Sequence, residues 1–370
     1  MEIGNFGNVF NGKKVIVTGN TGFKGSWLTV WLLELGAKVY GISKDVPTNP
    51  SMFEALKLRD RIQHYQTDIR DLESIKRIFE VISPDFVFHL AAQPIVSASY
   101  TNPIETIATN VLGTAHILEA LRGLKNKCNA VIITSDKCYD NVEWTWGYRE
   151  NDRLGGKDPY SASKGAAELI INTYHQSYFS KVDSNVQTVS VRAGNVIGGG
   201  DWAANRIVPD CIRAWNNSVP VELRNPTATR PWQHVLEPLS GYLRVAQLMT
   251  TERKICGEAY NFGPLADQSH TVYELLSRIS TLWKFNTSFD RFIFDSNHKF
   301  HEAGLLKLNC DKALHQLHWK PVLNFDLTVN YTALWYLEFY SDISEMYSLT
   351  VDQISNYTNE AKTKEIAWAN

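Results

Sequence analysis

The sequence predicts a doubly wound α/β fold, in which helices cover both faces of a parallel sheet, together with a smaller α/β lobe. First, short apolar runs alternate with helical segments through the first half of the 370-residue chain. Second, these runs are apolar throughout rather than at every other residue, which is typical of strands buried on both faces. Third, the pattern changes after about Ala193, where glycine, proline and shorter segments replace the regular alternation.

A glycine-rich turn directly follows the first predicted strand, residues 14–18. It reads Thr18-Gly19-Asn20-Thr21-Gly22-Phe23-Lys24-Gly25. Glycines there allow a sharp turn, let a pyrophosphate approach the backbone and let the next helix pack closely on the sheet. The start of that helix would offer free N–H groups and a partial positive charge to the phosphates. Because the turn follows a strand and opens a helix, it predicts a dinucleotide site in a Rossmann-like sheet.

The other elements follow from hydrophobic patterning. Strands are predicted at residues 37–42, 86–90, 130–134 and 186–192, and helices at residues 25–35, 72–82, 104–124 and 160–179. Thr271 and Glu274 have the spacing of a capping box, which predicts that a helix over residues 272–283 begins there. A further helix is predicted over residues 327–340.

Two domains are expected from this order of elements. Residues 1–192 would form a dinucleotide-binding domain, to which residues 236–262 return as a helix and a last strand. Residues 193–235 and 263–370 would form the smaller, substrate-binding lobe. This lobe would cover the carboxyl edge of the sheet, where ligands of doubly wound folds bind.

Composition excludes several classes of protein. A hydrophobic fraction of 44%, a charged fraction of 21% and a net charge of −2 are those of an ordinary globular protein without a basic field for nucleic acid. Apolar runs stay below the ~18 residues that would span a bilayer, and a charged-then-apolar leader is lacking, so we expect a cytoplasmic protein and no membrane partner. The five cysteines are scattered and form no CxxC pair, which predicts free thiols and no metal site.

The segment Tyr160-Ser161-Ala162-Ser163-Lys164 places a phenol and an ammonium on one helical face. An ammonium there should lower the pKa of the phenol and so make a base near neutral pH, because it favours the phenolate. Ser135 follows the predicted strand 130–134, which puts its hydroxyl at the ligand-binding edge. The alternative is a surface tyrosine beside a solvated lysine, but the glycine turn and Ser135 favour a catalytic group.

Together these motifs resemble those of the extended short-chain dehydrogenase/reductase family. The resemblance covers nearly the whole chain and includes three more segments: Asp68-Ile69, His89-Leu90-Ala91-Ala92-Gln93 and Asn110-Val111-Leu112-Gly113-Thr114. Within the family, the chain is most similar to the nucleotide-sugar 4,6-dehydratases. Their strand-end hydroxyl residue is usually followed by Asp-Glu, whereas this chain has Asp136-Lys137. That departure, with the segments 144–148, 195–202 and 230–235, is similar to the branch that acts on CDP-D-glucose.

The resemblance implies roles for the residues around Ser135. Tyr160 would take the proton of the sugar C4 hydroxyl, Lys164 would hold the cofactor ribose and Ser135 would hydrogen-bond the reacting oxygen. Asp136 would be the acid that releases the C6 hydroxyl as water, and Lys137 the base that removes the C5 hydrogen. In the alternative interpretation, Asp136 and Lys137 only form an ion pair with each other.

NAD is the cofactor that the resemblance implies. Its binding residues would be Gly19, Thr21, Gly22, Phe23, Lys24, Gly25, Ser43, Asp68, Ile69, Leu90, Ala91, Ala92, Tyr160 and Lys164. One departure concerns the second strand, which is followed by Ser43 and Lys44 where NAD sites usually carry an acidic residue. Because Lys44 would suit a 2′-phosphate, NADP is the alternative.

Four residues would hold the nucleotide-sugar substrate, CDP-D-glucose in the favoured interpretation: Gln93, Asn195, Arg206 and Arg230. A guanidinium can bind a pyrophosphate through two hydrogen bonds. Arg230 could instead pair with a carboxylate such as Glu222 or Glu237. Trp202 could line the pocket or anchor a loop, and His89 is expected to be a packed, hydrogen-bonded histidine.

The resemblance therefore implies a lyase that supplies 4-keto-6-deoxy sugars for dideoxysugar and lipopolysaccharide O-antigen synthesis. The alternatives are a dTDP- or GDP-sugar dehydratase, a 4-epimerase, and a non-catalytic NAD(P)-binding redox sensor. An epimerase has no use for an acid and a base beside Ser135, and a sensor has no reason to keep Ser135, Tyr160 and Lys164 together. In relatives, the two helices that flank the site commonly form the contact of a homodimer, so a dimer or a dimer of dimers is expected, although the helices could equally pack only within the chain.

Overall fold

A seven-stranded parallel sheet forms the centre of the computed structural model, which describes residues 6–223, 225–265, 268–283, 285, 289–294 and 305–370. The strands are β1 Lys14–Thr18, β2 Lys38–Ser43, β3 Gln63–Gln66, β4 Phe86–His89, β5 Cys128–Ile133, β6 Val186–Ala193, β7 Val196–Ile197, β8 Val221–Leu223, β9 Thr229–Arg230, β10 Gln233–His234, β11 Ala259–Phe262, β12 His270–Thr271 and β13 Phe292–Phe294. The order in the large sheet is β11-β6-β5-β4-β1-β2-β3, which confirms the predicted fold class.

Helices cover both faces of this sheet and build the outer part of the molecule. They are α1 Phe23–Glu34, α2 Met52–Ala55, α3 Leu72–Ile82, α4 Val96–Thr101, α5 Pro103–Ile107, α6 Gly113–Arg122, α7 Pro159–Tyr174, α8 Ile207–Asn216, α9 Leu236–Met249, α10 Val272–Leu282, α11 Asp311–Leu317, α12 Phe325–Ser341 and α13 Met346–Thr363. None of those in the described part of the chain combines the length and the apolar character that a membrane span needs.

The structure agrees with most predicted elements and corrects some. The helix expected over residues 104–124 is α5 and α6 joined by a π-helical turn, Ala108–Leu112, and α7 likewise ends in a π-helical turn, His175–Phe179. Strand β3 was not among the apolar runs because its sequence, Gln-His-Tyr-Gln, is polar and lies at the sheet edge, where burial is incomplete. The capping box of Thr271 and Glu274 is present at the start of α10.

The segment 236–262 contributes to the large sheet. Its strand β11 pairs in parallel with β6, and α9 packs against β5 and β6. The remaining strands form three two-stranded ribbons, β7 with β10, β8 with β13 and β9 with β12. The exact division into two domains stays a prediction.

The chain after α12 forms a further helix, which sequence patterning did not predict. This helix, α13, packs against α1 and α12. Its Tyr357 donates a hydrogen bond to the buried carboxylate of Glu237 on α9 over 2.8 Å. The backbone N–H groups of Val322 and Leu323 donate to the same carboxylate. The carboxyl-terminal helix is therefore tied to the sheet-packed helix α9.

Candidate active site

A cleft of about 1460 Å³ runs along the carboxyl ends of the strands. Its lining follows the order of the sheet: Asp68 lies after β3, Ser43 ends β2, Gly19 follows β1, Ala91 follows β4, Ser135 follows β5 and Asn195 follows β6. Strands lie about 4.8 Å apart, so the strand order is also the order of these residues along the cleft. The sheet thus sets out a long site with room for two extended ligands.

The glycine turn has the close approaches that the sequence predicted. Gly19 has a φ of +73°, and a Cβ there would lie 2.8 Å from the backbone nitrogen of Ala91. At Gly25 a Cβ would collide with the carbonyl oxygen of Gly19. Helix α1 begins just after Gly22, with no side chain capping it and no acidic residue in its first turn. These are the features of a cradle for a pyrophosphate.

The cleft beside β2 and β3 is polar. Ser43 donates a hydrogen bond to the side-chain oxygen of Asn20 over 2.8 Å, and the hydroxyl of Thr21 donates to the carbonyl of Asp45 over 2.7 Å. Lys44 forms ion pairs with Asp45 and Glu105. The predicted cofactor residues that line the cleft from this end towards β4 are Gly19, Thr21, Gly22, Phe23, Lys24, Gly25, Ser43, Asp68, Ile69, Leu90, Ala91 and Ala92.

Four predicted catalytic residues meet where β5 ends. Ser135 caps the short 3-10 turn Asp136–Cys138, and its hydroxyl donates to the carboxylate of Asp136 over 2.8 Å. Tyr160 and Lys164 come from the first turns of α7, where Asp158 caps the helix and Pro159 is its first residue. All four line the cleft. A hydroxyl, a carboxyl, a phenol and an ammonium thus converge at one point.

Burial, rather than Lys164, controls the phenol of Tyr160. Burial raises the pKa of Tyr160 to about 12, Asp136 adds to the increase, and Ser135 and Arg206 partly offset it. Burial also lowers the pKa of Lys164 to about 8, against the opposing charge of Glu168. Burial therefore opposes the effect expected from Lys164 on the pKa of Tyr160 in the ligand-free protein, because a dry site disfavours the phenolate.

Lys137 also lines the cleft, but it does not pair with its neighbour. Among the described residues, no ion pair joins the half-buried Lys137 to Asp136 or to another carboxylate. Lys24, in the glycine turn, brings another ammonium to the cleft. Burial and the nearby Arg206 lower the pKa of Lys24 to about 8.

A buried polar network beneath the site was missed by sequence reasoning. Glu168 accepts hydrogen bonds from both the Nε and an Nη atom of Arg192, over 2.9 and 2.8 Å. The same carboxylate accepts from the hydroxyls of Thr134 and Ser190. Glu168 lies four residues after Lys164 on α7, so its spacing on the helix face was the only sequence signal for it.

Three of the four predicted substrate residues line the cleft: Asn195, Arg206 and Arg230. Arg206 forms an ion pair with Asp201 over 2.8 Å. The fourth, Gln93, is not part of the cleft lining. Its side-chain amide donates to the carbonyl of Ile95 and to the hydroxyl of Thr106, so the structure uses it to hold the loop after β4.

Other candidate residues have structural roles. His89 is buried between the hydroxyls of Thr18 and Thr114, as expected, and burial lowers its pKa to about 3. Trp202 borders the cleft but packs against the rings of Trp335, Tyr336 and Phe339, so it anchors its loop. Glu237, offered as a partner for Arg230, is instead bound to Tyr357 and to backbone N–H groups. Within the described residues, no three His, Cys, Asp or Glu side chains are grouped to hold a metal ion.

A glycine turn after β1, with a serine after β5 and a tyrosine and a lysine on the helix α7, is the arrangement of the extended short-chain dehydrogenases/reductases. The chain belongs within this class to the GDP-mannose 4,6 dehydratase family, whose family model matches residues 16–332.

Named relatives agree with this membership. The chain is 48% identical over 332 residues to the CDP-glucose 4,6-dehydratase of Salmonella typhimurium. The aligned region covers 89% of this chain and 92% of that protein. Its fold is similar to that of an epimerase from Methanothermobacter thermautotrophicus, with a TM-score of 0.79, 25% identity and coverage of 92% and 96% of the two chains. A dTDP-glucose 4,6-dehydratase from Streptomyces venezuelae, solved with NAD bound, has a TM-score of 0.73 at 22% identity, with coverage of 88% and 97%.

Proposed function

We propose that this protein is an NAD-dependent 4,6-dehydratase that converts CDP-D-glucose to CDP-4-dehydro-6-deoxy-D-glucose and water. The observation that carries the proposal is the convergence of Ser135, Asp136, Tyr160 and Lys164 in one cleft beside the glycine turn. The choice of CDP-D-glucose rests on the 48% identity to the Salmonella typhimurium enzyme of that name. The chain also keeps Asp136-Lys137 where the wider branch usually has Asp-Glu.

The residues of the cleft fit a nicotinamide dinucleotide. The glycine turn and the uncapped start of α1 would bind its pyrophosphate, and the polar end at Ser43 and Asp68 would bind the adenosine ribose. Bound NAD would supply the acceptor for the hydride of C4 and return that hydride to C6. NAD is preferred to NADP because Lys44 already forms ion pairs with Asp45 and Glu105.

The first step is oxidation at C4, in which O4 loses its proton and C4 loses a hydride. Tyr160, in its phenolate form, would take the proton, and Ser135 would hydrogen-bond the same oxygen. Lys164, whose pKa is lowered to about 8 by burial, can carry or release a proton near neutral pH and so support Tyr160. The resulting C4 ketone makes the hydrogen on C5 acidic.

The second step removes water across C5 and C6. Lys137 would take the proton from C5 while Asp136 gives a proton to the departing C6 hydroxyl, so a C5–C6 double bond forms and one water leaves. The hydride then adds to C6 and a proton adds to C5. The sugar therefore loses one water in total and gains no net electrons. Asp136 is buried and accepts a hydrogen bond from Ser135, so the proposed acid lies beside the hydroxyl that would bind the reacting oxygen.

Asn195, Arg206 and Arg230 would hold the nucleotide diphosphate. All three line the cleft just beyond the catalytic groups, at and after the end of β6. Arg206 would share its charge between Asp201 and the diphosphate. This arrangement would orient the hexose towards Ser135 and the rest of the nucleotide towards the outer ribbons.

The test is to incubate the purified protein and NAD with CDP-, dTDP-, GDP- and UDP-sugars and to record the alkaline absorbance of a 4-keto product. We expect the signal with CDP-D-glucose. Conversion of another nucleotide sugar in its place would assign the protein to a different dehydratase, and a C4 epimer without dehydration would make it an epimerase. Cofactor binding without turnover of any sugar would favour the sensor.

We further propose a cytoplasmic homodimer. All five cysteines are free thiols, which suits a reducing compartment. Apolar side chains that include Ile104, Leu112 and Leu169 are exposed on α5, on the π-helical turn after it and on α7, and α7 packs against α5. Such a face is typical of a contact between two copies of a chain.

A further inference from the structure

Glu222 and Asn225 line the same cleft as the catalytic groups and Arg230. The chain leads there from the catalytic groups. The backbone N–H of Gln233 donates to the carbonyl of Asn195, and Pro231 lies beside Gly194, which itself borders the carboxylate of Asp136. From Pro231 back towards β8, the chain passes Arg230 and then Asn225 before it reaches Glu222. Along the chain, the order from catalytic groups to guanidinium to carboxylate matches the order of hexose, diphosphate and base in a nucleotide sugar.

Strand β8 presents Glu222 to the cleft. Its neighbours Val221 and Leu223 are buried in the core, whereas Glu222 is exposed on the opposite face of the strand and borders the cleft. Alternate residues of a strand point to opposite faces, so burial of the two apolar neighbours directs the carboxylate outward. Within the part of the chain that the structure describes, this carboxylate forms no ion pair or hydrogen bond.

Cytosine and uracil differ at the positions that such a group can distinguish. Position 4 of cytosine carries an amino group, a hydrogen-bond donor, whereas uracil carries a carbonyl oxygen there. A carboxylate is only an acceptor, so it matches the amino group and repels the carbonyl oxygen. When the base covers the carboxylate, two acceptors that face each other without a donor cost binding free energy. A single carboxylate can therefore discriminate between cytosine and uracil.

We propose that Glu222 selects the nucleotide by accepting a hydrogen bond from the exocyclic amino group of cytosine, with Asn225 beside it as a second hydrogen-bonding group. This inference rests on the proposed function, because it assumes a cytidine nucleotide with its hexose at Ser135. Glu222 acts on binding and on the choice of substrate, and takes no part in the chemical steps.

The experiment compares CDP-glucose with UDP-glucose, which share hexose, diphosphate and ribose and differ only in the base. Wild type, Glu222→Gln and Glu222→Ala are assayed for kcat/KM with both sugars, and competition by free CDP and UDP is measured as a second readout that needs no turnover. Glu80→Gln, at an exposed carboxylate on α3 outside the cleft, is the control.

We expect the preference of the wild type for CDP over UDP to fall roughly tenfold to a hundredfold in Glu222→Gln, which corresponds to about 1.4–2.8 kcal/mol. The amide can either accept or donate, so it suits both bases. Glu80→Gln should keep the wild-type preference, and Glu222→Ala should lose affinity for CDP while its affinity for UDP stays level or improves.

An unchanged preference in both Glu222 variants would overturn the inference, and so would an equal loss for the two nucleotides, which would indicate a ribose contact. A wild type that binds CDP and UDP equally well would overturn it as well. A wild type that dehydrates no sugar but still prefers CDP, with that preference lost in Glu222→Gln, would support base selection by Glu222 and contradict the proposed function alone.

Discussion

Asp136 and Lys137 are adjacent in sequence and opposite in charge, yet the structure does not pair them. Asp136 is buried and accepts a hydrogen bond from Ser135, whereas Lys137 is half-buried and faces the cleft. In the 3-10 turn that contains both, successive side chains point about 120° apart, so neighbours do not meet. The alternative interpretation, in which Asp136 and Lys137 only form an ion pair, therefore does not hold among the described residues. Both groups are available to a substrate.

Replacing Lys137 should separate binding from elimination. We expect Lys137→Ala to lower formation of the 4-keto product by about 10²–10⁴-fold, the usual contribution of a general base, while the affinity for CDP changes little. Product formation is measured by alkaline absorbance and affinity by calorimetry.

Tyr160→Phe is the matched comparison for that variant. It should abolish the transient reduction of the nicotinamide, because the phenol acts in the first step, whereas Lys137→Ala should keep that absorbance signal. Normal 4-keto formation by Lys137→Ala would refute its role as the base, and a normal nicotinamide signal in Tyr160→Phe would refute the role of the phenol.

Helix α7 links the reacting groups to the buried network. Tyr160, Lys164 and Glu168 follow one another at intervals of four residues, so all three share one face of the helix. Burial alone would raise the pKa of Glu168, but Arg192, Thr134 and Ser190 hold it below its usual range. Because the folded-state pKa is depressed, this stabilisation is present at neutral pH and is lost as the pH falls through the acidic range.

Breaking this network should destabilise the protein strongly. Arg192→Ala leaves a buried carboxylate without its cation, so we expect a loss of about 3–5 kcal/mol in the free energy of unfolding, measured by chemical denaturation. Arg122→Ala is the control, since Arg122 forms a partly exposed pair with Glu119 at the surface of α6, and surface pairs contribute about 0–1 kcal/mol. Similar losses in the two variants would contradict the importance assigned to Glu168.

The whole molecule depends on long-range contacts that join its parts. Glu237 on α9 receives hydrogen bonds from Val322, Leu323 and Tyr357, and burial raises its pKa to about 7. Tyr357 lies on α13 and Val322 precedes α12. The carboxylate of Glu237, on a helix packed against the sheet, therefore binds two separate segments of the carboxyl-terminal part of the chain. The apolar face of α5 and α7 lies outside this internal packing.

A charge on that face should prevent association. We expect Leu169→Lys and Ile104→Lys to convert a dimer to a monomer, because each would bury an unpaired ammonium in the contact. Light scattering after size exclusion reports the mass. Val182→Lys, at an exposed site that is 91% accessible and lies beyond α7, is the control. A monomeric wild type, or dimers in both variants, would contradict the proposed contact.

The sequence alone was enough to predict the sheet, the glycine cradle and the Tyr160–Lys164 pair. These depend on local rules: a strand must turn into a helix within a few residues, and a four-residue spacing always lies on one helix face. Strand β3 was not predicted because an edge strand need not be apolar. Helix α13 was not predicted because polar residues are frequent in it and several of its buried residues are themselves polar.

Tertiary structure decided what depends on residues distant in sequence. It turned Gln93 away from the cleft, set Arg192 against Glu168 and surrounded Tyr160 closely enough to raise its pKa to about 12. It also brought Glu222 into the lining of the cleft. The burial of a residue and the electrostatic potential around it depend on every segment that packs against it. They therefore cannot be read from one stretch of sequence alone.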